Sequence, residues 1–226
     1  MKNQHKSKKR NQNKVIIEQI RSKDGETIIV ELEDKRKLYL SIEVVLKNGL
    51  RKGDNLDEDL FNYLIRENQK YFVRKKALDL LARRAHSTFE LKIKLMQRKY
   101  ERELIEELLR ELTTKNFLND KDFALQYVNE RILLRKSGKQ KLKAELIKKG
   151  IHQEIITEVI SNLDIAEDFE NALLLAQKKM KSLLNRNTEK KKMTPKIISF
   201  LLTKGYEYET VKMVVKRLNF PDDEDL

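Results

Sequence analysis

Apolar residues in the middle of the chain recur at helical spacing, break at a glycine, and resume in a new phase: Leu142 and Leu146, then Gly150-Ile151, then Ile155, Ile156, Val159, Ile160 and Leu163. That pattern predicts helix, glycine turn, helix. The same pattern occurs 51 residues earlier, with Leu91, Leu95, Tyr100, Leu104, Ile105, Leu108, Leu109 and Leu112 in the matching places. It occurs again 55 residues later, with Ile197, Leu201, Gly205-Tyr206, Val211, Val214, Val215 and Leu218. A further helix precedes each pair, since Ala77, Leu81 and Arg84 match Ala124, Val128 and Arg131, and Ala172, Ala176 and Lys179 follow the same spacing. The chain therefore reads as mainly α, with three tandem three-helix repeats at 71–118, 119–166 and 167–220. Such units stack to bury faces that none can bury alone.

Ahead of the repeats the pattern changes. Residues 15–70 carry β-branched runs at Val15 to Ile20 and Thr27 to Leu32 and a third candidate strand at Leu38 to Ile42. Asp24-Gly25 between the first two is a hairpin signal, because such a pair tolerates the positive φ of tight turns. A small antiparallel sheet follows, whose edges need covering by the next helices. Asp57 is placed to cap a helix carrying Leu60, Phe61, Leu64 and Ile65. Start signals mark the later helices: Ser87 with Glu90 as a capping box, Asn119 or Asp120 before Phe123, and Thr194-Pro195 before Ile197. Residues 1–14, basic and without apolar periodicity, read as a disordered tail, and 221–226 as an acidic one.

Charge adds a second pattern. The chain has 226 residues and a formal net charge of +13, which points to an acidic partner, most simply nucleic acid or something that carries it. Residues 74–99 hold nine basic residues against two acidic ones, 131–149 eight against one, and 178–204 nine against one. In each repeat the first two helices are thus basic and the third begins acidic. Stacking such units predicts a long particle with a basic stripe along one side. Arg98, Lys149 and Lys204, each at a helix end, also fit a simple helix-dipole preference. That preference does not account for Lys139, Lys141 and Lys143 at a helix start.

The candidate chemistry is sparse. There is no cysteine, which removes disulfides and thiolate chemistry and suits a reducing cytoplasm. No apolar run reaches the roughly 18 to 20 residues of a membrane span. His5, His86 and His152 are isolated from one another and read as solvated or capping, and no phosphate-cradling loop, HExxH or serine elbow is present. A binding protein without cofactor, metal or catalytic residues is the expectation.

Three stretches carry a family resemblance: Ala77 to Leu95, Phe117 to Val128 and Gly138 to Ile151. In this order they resemble the bacterial RecX regulatory proteins, and the strand-rich start is similar to the extension of longer Gram-positive members. Repeat one departs from the pattern with Lys99 at the turn glycine, and repeat two with His152 at a capping position. The resemblance implies tandem three-helix repeats in a curved, elongated molecule; a cytoplasmic monomer is the expectation. The resemblance also implies that the chain lies in the groove of the RecA filament on single-stranded DNA, limiting filament growth, strand exchange and the SOS response. Arg84, Arg131, Arg135, Lys136, Lys139, Lys141, Lys143 and Lys149 are the candidate contact residues. The alternative is a general nucleic-acid binder that needs no RecA.

Overall fold

The structure, a computed structural model, describes residues 14–218. Most of the basic tail and all of the acidic one lie outside them. The described residues fall into two compact units, 14–82 with 95–110, and 83–94 with 111–218. The chain is mainly helical, with a small N-terminal sheet, as its hydrophobic spacing predicts.

In the first unit, β1 (Val15–Ser22), β2 (Thr27–Leu32), β3 (Lys37–Ser41) and β4 (Asn55–Leu56) form an antiparallel sheet in the order β3-β2-β1-β4. The turn after β1 uses Asp24 rather than a positive-φ glycine. Its Oδ1 accepts from the backbone N–H groups of Glu26 at 2.9 Å and Thr27 at 2.7 Å, and Gly25 is not among the positive-φ glycines. The expected third strand stops at Ser41, whose hydroxyl caps the short helix α1 (Ile42–Lys47) by accepting from Val44. Val15, Ile17, Val30, Leu32, Leu38 and Leu40 on the sheet pack with Val44, Val45 and Leu64.

Leu64 belongs to α2 (Glu58–Arg83), which begins where Asp57 Oδ1 accepts from Leu60 N. It runs unbroken through residue 71, where the periodicity had started a new helix. The edge of β3 is closed by Asn68 of α2, which accepts from Ser41 N at 2.7 Å and donates to Tyr39 O at 2.8 Å. Those bonds satisfy backbone groups that an open edge would expose.

α3 (Thr88–Met96) and α4 (Arg102–Thr114) complete the first predicted repeat. α5 (Asp120–Arg135), α6 (Lys139–Lys148) and α7 (Gln153–Ser161) form the second, and α8 (Ile165–Leu184), α9 (Met193–Lys204) and α10 (Tyr208–Arg217) the third. In the second unit, α5, α6 and α7 close around Ala124, Val128, Leu142, Leu146, Ile156, Val159 and Ile160. α8, α9 and α10 close around Ala172, Ala176, Ile197, Leu201, Tyr206, Val211 and Val214. Asn119 caps α5 through Lys121 N and Asp122 N. Thr194 does not cap α9, because a 3-10 turn at Lys190–Lys192 starts the helix earlier. Pro195 then falls inside the first turn, where its missing N–H costs no hydrogen bond.

Candidate functional site

In the second unit the helices carrying the basic residues are joined end to end. Gly138 precedes α6 and has no side chain to cap it. The helix is capped instead by the last carbonyls of α9: Gly138 N donates to Lys204 O at 3.0 Å, and Gln140 N to Gly205 O at 2.9 Å. One repeat earlier the contact is made by a side chain: Ser87 Oγ donates to Lys149 O at 2.7 Å and accepts from Glu90 N at 3.0 Å, so the expected cap of α3 also links it to the end of α6. The negative end of one helix thus meets the positive end of the next. Lys139 and Lys141 can therefore occupy a helix start, because the dipole there is already answered by the neighbouring helix.

The joint also explains the turn glycines. A Cβ on Gly205 would lie 2.4 Å from Lys141 N, and one on Gly138 2.5 Å from Gly205 O. Gly150 and Gly205 have φ of 72° and 90°. Lys99, their counterpart in repeat one, keeps the left-handed turn at φ 61° with an exposed side chain, so only the close approach is absent there.

Around the first joint the charges form a network. Glu90 lies between Arg84 at 3.0 Å and Lys149 at 2.7 Å. Burial alone would raise its carboxyl, but hydrogen bonds from both cations outweigh that and hold the pKa at about 2. Lys149 Nζ also lies 4.8 Å from the Tyr127 ring and 5.6 Å from that of Phe123. Arg131 lies 4.6 Å from the Tyr127 ring and 3.4 Å from Glu145, to which Tyr127 donates at 3.0 Å. Burial raises the Tyr127 phenol pKa. His86, expected to be solvated or capping, is 4% exposed. Its Nδ1 lies 2.9 Å from Arg84 O, a distance that assigns the ring proton to Nδ1, and burial lowers its pKa.

The eight candidate contact residues thus fall into three groups. Arg84, Arg131 and Lys149 face carboxylates within the protein. Lys136 and Lys139 are engaged by uncharged groups, Lys136 Nζ lying 2.6 Å from Asn171 Oδ1 of repeat three and Lys139 Nζ 3.4 Å from Leu163 O at the end of repeat two. Arg135, Lys141 and Lys143 have no ion pair among the described residues, and Arg135 is exposed beside Leu133 and Leu134, which are 77% and 70% exposed. Counting charge by helix did not single out Glu90, Tyr127 or Glu145 as partners of these cations. The usable signal was the lone Glu145 among eight basic residues.

Among the described residues no helix is long and apolar enough to cross a membrane, and no three His, Cys, Asp or Glu side chains gather to hold a metal ion.

Comparison with known proteins gives a consistent result. Residues 74–112, 119–160 and 166–215 match the first, second and third three-helix domains of RecX. The chain is 31% identical over 210 residues to the regulatory protein RecX of Clostridioides difficile strain 630, covering 93% of this chain and 97% of that one. It is 30% identical over 208 residues to that of Clostridium botulinum strain Alaska E43, covering 92% and 97%. A crystal structure of a regulatory protein RecX superposes with a TM-score of 0.71 at 23% identity, over 89% of this chain and 99% of the other. RecX from Lactobacillus salivarius gives 0.61 at 24%, over 67% and 97%. At these identities the two structures establish the fold.

Proposed function

The chain belongs to the RecX family of regulatory proteins, and from that premise we propose that it binds RecA filaments on single-stranded DNA and limits their growth. ATP hydrolysis, strand exchange and the SOS response that depend on the filament are then restrained. Family membership carries the RecA assignment. The geometry supports the contact face: Leu133 and Leu134, unusually exposed for large apolar residues, stand next to Arg135 at the end of α5. An apolar ridge beside a cation suits a protein surface that carries nucleic acid better than bare phosphates, which would reward cations alone.

Arg135, Lys141 and Lys143 are the main contact residues in this reading. Lys136 and Lys139 lie next to them, and Arg84, Arg131 and Lys149 hold the surface in shape. Co-sedimentation with RecA filaments and with naked single-stranded DNA, at several salt concentrations, tests the partner. Retention on filaments at salt that releases the chain from bare DNA is expected. Equal retention on both would make it a general nucleic-acid binder. Arg135→Glu with Lys143→Glu is expected to relieve inhibition of RecA's DNA-dependent ATPase about tenfold or more, with an unchanged melting curve. An unaltered inhibition curve would remove these residues from the contact.

A further inference from the structure

Repeat three carries a cavity of about 410 Å³ lined by Lys179, Pro195, Lys196, Ser199, Phe200 and Thr203. Its aromatic wall is Phe200 of α9, half-buried, with Lys179 Nζ 5.3 Å and Lys204 Nζ 5.5 Å from the ring centroid. No carboxylate lines it.

The internal repeat makes the site informative. At the offsets that align the repeats, Lys179 matches Arg131, Lys204 matches Lys149, and Phe200 matches Glu145. In repeat two Glu145 answers Arg131 at 3.4 Å and accepts from Tyr127, and Glu90 answers Lys149. In repeat three the carboxylate position holds a ring, and neither Lys179 nor Lys204 has an ion pair among the described residues. The equivalent cations remain while the protein's own anion is gone.

We propose that this cavity is a subsite for single-stranded nucleic acid, in which one base stacks on Phe200 and flanking phosphates are held by Lys179, Lys196 and Lys204. An acidic peptide would use the lysines but leave the ring without a role, whereas a nucleotide uses both. An exposed lysine over a ring contributes a factor of only about two to five in affinity. Base stacking on an aromatic side chain contributes about five or more, so a base displaces the ammonium group and frees it for phosphate. The contact goes beyond the RecA reading and needs no RecA.

The test is binding of the full chain, without RecA, to a short fluorescent oligothymidylate and to its abasic counterpart across a salt series. The unaltered protein is expected to bind the base-bearing strand at least about fivefold more tightly than the abasic one, and Phe200→Leu to abolish that preference. Lys179→Gln with Lys196→Gln is expected to weaken both strands and to reduce the slope of log affinity against log salt by about two. This second variant spares the core, so the idea remains testable if Phe200→Leu unfolds. Equal affinity of the unaltered protein for the two strands overturns the proposal. Displacement of the strand by polyglutamate at lower concentration than by unlabelled oligothymidylate also overturns it. Because RecA is absent, neither result bears on the ATPase test of the RecA assignment.

Discussion

Glu90 is a half-buried carboxylate that stays ionised because Arg84 and Lys149 face it from two sides. Its pKa in the folded chain is about 2, against an ordinary 4.5, so the stabilisation it provides is complete above about pH 4.5 and is lost as pH falls toward about 2. A series of melting curves over that window is expected to show this loss, amounting to about 2 kcal/mol after allowance for partial solvent screening. Glu90→Gln is expected to flatten the acid limb and to lower stability near neutrality by a similar amount, since two cations lose their counter-charge. A variant whose acid limb matches that of the unaltered chain would show that Glu90 is not the group being titrated. The network was legible in sequence only in part. The cations stood out as a cluster and Glu145 as the lone acid among them, but Glu90, the partner of Lys149, lies 59 positions back along the chain, where the charge count gave no reason to prefer it over other acids.

At the scale of elements, the repeats could be read from sequence because each helix buries one apolar stripe, and a stripe has a period. The short elements could not. α1 has six residues and β4 two, too few to show a period, and α1 follows β3 directly because Ser41 ends one and caps the other. The joint was invisible for another reason: it is made largely by backbone groups, which no side-chain pattern reports. Its glycines do report it. Gly138→Ala and Gly205→Ala are each expected to cost at least about 2 kcal/mol in chemical denaturation, because the new methyl meets backbone atoms that cannot step aside. Combined, they should cost less than the sum of the two, since both open the same joint. Lys99→Gly, at a turn with the same φ sign and no such approach, is expected to gain about 0.5 to 1 kcal/mol by relieving a left-handed lysine. A loss at Lys99 would place a required contact on that side chain.

For the whole molecule, the surplus of 49 basic over 36 acidic residues predicts how association responds to salt. Raising ionic strength from about 50 to about 200 mM is expected to slow binding to RecA filaments by about tenfold or more while changing dissociation less, because screening acts first on long-range steering. Stopped-flow measurement of both rates checks this, and a salt-independent association rate would mean that the net charge does not guide the encounter. The end-to-end joint also bears on length. α6 receives the carbonyls of Lys204 and Gly205 from the following repeat and Ser87, ahead of α3, that of Lys149, but the place equivalent to Gly138 and Ser87 in repeat three is Met193, which is 3% exposed. That methionine is a terminator. A builder who wanted four modules would leave α9 and its buried methionine as the last and splice a duplicate of the middle one ahead of it, since that module alone both offers and accepts the connection.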